Sequence, residues 1–128
     1  MKARLITLKN GRQDLAFPIL GTRTAIGREP DNAIQLSDPE ASKHHAMIHT
    51  LPGGWEIEDR GSRNGTFVNG KQIQRTALRN NDQLRIGTTD LLFETIADNE
   101  RWVASVVIDL STNIGAKTIC APQPKRDA

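Results

Sequence analysis

Three stretches of this 128-residue chain collect side chains able to hold an anion. They are Gly27-Arg28-Glu29-Pro30-Asp31-Asn32, Asp38-Pro39-Glu40-Ala41-Ser42-Lys43-His44-His45, and Asp59-Arg60-Gly61-Ser62-Arg63-Asn64-Gly65-Thr66. Arg28 offers a planar fork of donors, Lys43 a compact charge and Ser42 a hydroxyl, while the Asn64 amide can both donate to and accept from a peptide main chain. A phosphorylated side chain carries about −1.5 to −2 charges and three strong acceptor oxygens, so the set suits a dianionic phosphate. Nothing in it is built to break a bond.

The elements that must position these stretches read as strands. Short β-branched or alternating segments occur at 4–9, 15–20, 22–26, 33–36, 45–50, 55–58, 66–68, 83–86 and 91–96. Between them stand the turn formers Asn10-Gly11, Pro52-Gly53-Gly54, Asn64-Gly65, Asn69-Gly70 and Asn80-Asn81-Asp82. Asn-Gly supplies the positive φ that tight hairpins need. Many short strands without a long helical pattern predict an all-β sandwich, which gathers its loops at two ends and lets them converge. Beyond residue 97 the pattern changes. Trp102, Val103, Val106, Val107 and Leu110 fit a helical stripe, and Trp102, Ala104, Val106, Ile108 and Leu110 fit a strand equally well. Residues 1–97 are therefore expected to form one domain and 98–128 a C-terminal extension ending in a frayed tail at 121–128.

Taken in order, Gly27-Arg28, Ser42-x-x-His45, Asn64-Gly65-Thr66 and Asn69-Gly70 resemble the signature of the forkhead-associated (FHA) domain. So do Asn32-Ala33-Ile34-Gln35-Leu36, Trp55-Glu56-Ile57-Glu58-Asp59 and Asn81-Asp82-x-x-x-Ile86-Gly87. The resemblance covers about residues 3–97. It implies a twisted, SMAD-like sandwich of about eleven strands that reads phosphothreonine on a partner prepared by a Ser/Thr kinase. It also implies roles: Arg28 and Ser42 on the phosphate with Lys43 beside them, Asn64 on the peptide main chain, and Arg63 flanking. Gly27, His45, Gly65, Thr66, Asn69 and Gly70 match positions that shape loops. A small apolar pocket for the threonine methyl belongs to the same family pattern. Glu40 stands where some members carry a basic residue, so acidic residues downstream of the phosphothreonine are expected to be disfavoured.

Each residue has a plainer reading. Arg28 alone would be a surface charge in an ion pair worth ~0–1 kcal/mol. Ser42 would cap a turn, and Asn64-Gly65 would be a hairpin turn that also presents the Asn64 side chain. Asn69-Gly70 reads as structural and Arg60 as a solvated charge. On an extended strand His45 and His49 would share a face about 13 Å apart, with His44 opposite, so no single ion reaches all three. No metal or cofactor is expected. Trp55 and Phe93 read as core, and Phe67 as packed beneath the Asn64 loop.

Composition narrows the remaining choices. At 37% hydrophobic and 25% charged residues, the chain reads as an ordinary folded domain. A net charge of +2 does not demand nucleic acid, and two Trp, three Phe and no Tyr make a poor stacking platform. The single cysteine, Cys120, favours a reducing compartment, and no segment reads as a signal or a membrane span, so a cytoplasmic monomer is expected. Catalytic signatures are missing: no Gly-x-Ser-x-Gly elbow, Walker loop or His-Glu-x-x-His. Val106-Val107-Ile108-Asp109-Leu110 faintly resembles a nucleotide-cyclase strand but lacks its continuation. The rival readings are a phosphate-independent adaptor using the sandwich faces, or a regulatory fragment of a larger enzyme.

Overall fold

Alternation along the strands decides which face is buried. Leu84 and Ile86 on one strand are buried on either side of exposed Arg85, Leu91 and Phe93 on the next are buried on either side of the half-buried Leu92, and Ile48 and Ile57, paired in the opposite sheet, are buried against them. In this computed structural model, which describes residues 1–100, those stripes close into a two-sheet sandwich without a helix among the described residues. The chain runs through β1 (Lys2–Lys9), β2 (Arg12–Pro18), β3 (Arg23–Gly27), β4 (Ile34–Gln35), β5 (Ala46–Leu51) and β6 (Gly54–Asp59). It continues through β7 (Thr66–Val68), β8 (Lys71–Ile73), β9 (Arg75–Leu78), β10 (Asp82–Ile86) and β11 (Thr89–Ile96). One sheet has the order β2-β1-β11-β10-β7-β8 and the other β4-β3-β5-β6-β9.

The expected all-β sandwich and its strand number hold. The periodicity located nine of the strands and missed β8 and β9. Both are sheet edges with mostly exposed residues, so neither shows a buried stripe. Met1–Ala97 forms one compact unit. The alternative periods at 102–110, the cyclase-like strand, Cys120 and the tail at 121–128 all lie outside the described residues.

Between the sheets, Leu5, Ile26, Ile34, Ile48, Ile57, Leu84, Ile86, Leu91 and Phe93 are buried. Trp55 packs edge-on against Phe93 with ring centroids 5.6 Å apart, as expected of two core aromatics. Phe67 does not follow its expected place. Thr66 and Val68 take the buried face of β7, so the pleat turns Phe67 outward, beside Arg85 across the ladder. There it lines a concavity of about 390 Å³ with Gly70, Gln83, Leu84, Arg85 and Asp90.

Two Asn-Gly pairs do the turn work foreseen for them. Asn10-Gly11 (φ 54° and 75°) closes β1–β2, and Asn69-Gly70 (φ 51° and 83°) closes β7–β8. Asn64-Gly65 differs, since only Gly65 has positive φ and the pair lies in the β6–β7 loop, which leads to a strand of the other sheet.

Candidate functional site

Three connections, β3–β4, β4–β5 and β6–β7, meet at one end of the sandwich, and hydrogen bonds between them define the site. The first two are joined by their main chains: Arg28 N–H donates to the Ser42 carbonyl at 3.1 Å and Glu29 N–H to the Lys43 carbonyl at 3.3 Å. This approach requires Gly27, where an added Cβ would run into the Lys43 carbonyl. The Asn32 amide reinforces the junction, donating to the carbonyls of Glu29 and Lys43 at 2.8 Å each.

The third connection is tied in by side chains. Ser42 Oγ accepts the Arg63 N–H at 2.9 Å, and Asn64 Nδ2 donates to the Glu40 carbonyl at 2.8 Å and to Glu40 Oε1 at 3.2 Å. His45 is buried between the two: its Nδ1 accepts the Ser42 N–H at 2.9 Å, so Nε2 carries the hydrogen and donates to the Gly65 carbonyl at 2.9 Å. It therefore braces loops, and the strand geometry assumed for it does not apply, because β5 begins one residue later. Each of the other histidines has its own partner, His44 with Asp31 and His49 with Glu58. No metal-holding group of His, Cys, Asp or Glu is present among the described residues.

Arg28, Ser42, Lys43, Arg63 and Asn64 are thus brought together. Arg28 spends Nε on the Ala41 carbonyl at 3.0 Å, while its terminal nitrogens, the Lys43 ammonium and the Arg63 guanidinium have no partner among the described residues. Ser42 Oγ accepts from protein, which leaves its own hydrogen for an acceptor. The result is a set of unspent donors and cations, the electrostatic complement of an anion. Thr66 is buried and donates to Asp59. Asn69 and Gly70 sit at the far end of β7 from Thr66, where Asn69 bonds Asp82 and Gln83, so they shape a hairpin and not these loops. Arg60 is exposed and pairs with Glu58 at 3.3 Å.

Two carboxylates of these stretches to which the sequence assigned no ligand or loop-shaping role, Asp38 and Asp59, hold the loops from behind. Asp38 accepts from the Glu40 and Thr88 amides and from the Thr88 and Thr89 hydroxyls, anchoring β4–β5 to the β10–β11 turn. Burial pushes its carboxyl up, but these hydrogen bonds, that from Thr89 foremost, outweigh it and leave the group below the ordinary Asp range. Asp59 likewise accepts from Gly61, Ser62 and Thr66, and here too burial is overcome, by the Ser62 and Thr66 hydroxyls first. Ser62 Oγ in turn accepts the Gly65 N–H. A short Asp-x-x-Ser spacing was the only hint of this turn in the sequence; the Asp38–Thr88 contact, 50 residues apart, left none.

Comparison with known proteins points the same way. The family model described as the FHA domain matches residues 24–87. The ABC transporter ATP-binding/permease protein Rv1747 of Mycobacterium tuberculosis is 47% identical over 68 residues, which is 53% of this chain and 8% of the transporter. The chain spans less than half the length of the first curated relatives it matches. Among solved structures, the FHA domain of the CT664 protein from Chlamydia trachomatis is 31% identical, with a TM-score of 0.71 over 76% of this chain and 100% of that one. EmbR of Mycobacterium tuberculosis, in complex with a low-affinity phosphopeptide, is 31% identical with a TM-score of 0.69, over 78% of this chain and 26% of EmbR.

Proposed function

The chain belongs to the FHA domain family, and from that premise we propose that it binds phosphothreonine-containing segments of a partner protein through the three joined loops. Arg28, Ser42 and Lys43 take the phosphate, Asn64 takes the peptide main chain, and Arg63 flanks it. The observation that carries this reading is the group of unspent donors: the Arg28 terminal nitrogens, the Ser42 hydroxyl hydrogen and the Lys43 ammonium, held close by Arg28–Ser42 and Ser42–Arg63 hydrogen bonds. A dianion satisfies all three, and no nucleophile or base is needed, so the module is a reader and not an enzyme. The partner is prepared by a Ser/Thr kinase, and the domain works in the cytoplasm as a monomer. The small share of the Rv1747 transporter that aligns favours a module serving within a larger protein as well as one acting alone.

The test is a titration with degenerate phosphothreonine, phosphoserine and unphosphorylated peptide pools, with Arg28→Ala beside the parent. Binding of the phosphothreonine pool alone, lost in the variant, is the expected result. Phosphate-independent capture that survives Arg28→Ala would turn the reading to an adaptor working through its sheet faces.

A further inference from the structure

We propose that Asn32 is a positioning residue that sets the Lys43 end of the site; the inference rests on the phosphopeptide reading above. Asn32 is 6% exposed, so it acts through its neighbours and not by touching ligand. Its amide nitrogen has two hydrogens and spends both across the junction, on the carbonyls of Glu29 and Lys43. The oxygen of the same amide is buried with no partner among the described residues. An orphaned buried acceptor is unfavourable, which indicates that the side chain is kept for its two donors.

The two cations of the site are not held equally. Arg28 has a main-chain bond to Ser42 and a side-chain bond to Ala41, both independent of Asn32. Among the described residues the Lys43 carbonyl has only the Asn32 amide at 2.8 Å and the longer Glu29 N–H at 3.3 Å. Gly27 completes the device, since a Cβ there would crowd both the Lys43 carbonyl and, at 2.8 Å, Asn32 Nδ2. Remove the amide and the Lys43 main chain is released from one good hydrogen bond, while Arg28 keeps its tethers. Asn32 is thus coupled to Lys43 in particular.

The experiment uses the full 128-residue chain, with Asn32→Ala and Asn32→Ser each made alone and combined with Lys43→Ala. One readout is the Kd for a phosphothreonine peptide taken from the degenerate pool. The other is hydrogen exchange at the Glu29 amide, with the Ile48 amide as an internal reference for global opening. Each Asn32 variant is expected to weaken binding about tenfold in the parent background and no more than about twofold when Lys43 is already Ala. The Glu29 amide should exchange faster by about tenfold while Ile48 keeps its rate. Equal losses in both backgrounds, or an unchanged Glu29 rate, would overturn the proposal, and a matching acceleration at Ile48 would reduce Asn32 to general stability. If the parent binds no phosphothreonine peptide, the functional reading falls, and the Glu29 exchange rate alone decides whether Asn32 clamps Lys43.

Discussion

The Ser42 hydroxyl accepts the main-chain N–H of Arg63 at 2.9 Å, welding two loops 21 residues apart in the chain. One oxygen thereby aligns the β6–β7 loop and keeps its own hydrogen for a ligand. Ser42→Ala removes both functions. A hydrogen bond to a charged group contributes about 1.5–3 kcal/mol, so the phosphothreonine-peptide Kd should rise roughly tenfold to a hundredfold. The exposed Arg63 amide can bond water instead, so the melting temperature should stay near the parent's. Unchanged affinity in a titration would remove Ser42 from the phosphate site.

Arg28→Ala should abolish measurable phosphopeptide binding and leave stability within about 1 kcal/mol, because an exposed side chain loses one hydrogen bond to the Ala41 carbonyl. Thermal unfolding beside the titration separates the two effects. A large drop in stability would mean that Arg28 serves the fold.

For His45→Ala the balance reverses. The substitution leaves a cavity and strands the Ser42 N–H and the buried Gly65 carbonyl. A loss on the order of 2–4 kcal/mol is expected in urea unfolding. A fully stable His45→Ala protein would show that the imidazole brace is dispensable.

Acid should loosen the site. Asp38 and Asp59 both lie below the ordinary Asp value of 3.8 in the folded protein. A depressed folded value means the stabilisation is complete above that ordinary value and is lost as pH falls through the depressed ones. Unfolding free energy should therefore be flat with respect to these groups from neutral pH down to about 4–5 and decline below it, with a smaller decline in Asp59→Asn. An identical acid slope in that variant would show that Asp59 contributes nothing to it.

Glu40 bears on specificity. Its carboxylate accepts from Asn64 at 3.2 Å and has no ion-pair partner among the described residues, so its charge stands beside the amide proposed to hold the peptide. Peptide pools should show discrimination against Asp and Glu downstream of the phosphothreonine, relieved in Glu40→Lys. A preference for acidic residues there in the parent would refute this.

Local chemistry is what the sequence determined by itself. Period-2 burial marked strands such as β10 and β11, because side chains alternate faces wherever a sheet covers one side. Asn10-Gly11 and Asn69-Gly70 wrote their hairpins directly, since few other residues tolerate positive φ at both positions. The candidate ligand residues Arg28, Ser42, Lys43, Arg63 and Asn64 were legible by type and order. Tertiary structure alone decided the rest. The edge strands β8 and β9 exist because β7 and β6 offer unpaired partners, not because their own residues demand it. Phe67 faces outward because Thr66 and Val68 hold the buried positions of a three-residue strand. Asn32 and Asp38 brace the loops through hydrogen bonds to Lys43 and Thr88, 11 and 50 positions away in the chain. Such a bond is a property of two loops brought together, and no local pattern of residues encodes that meeting.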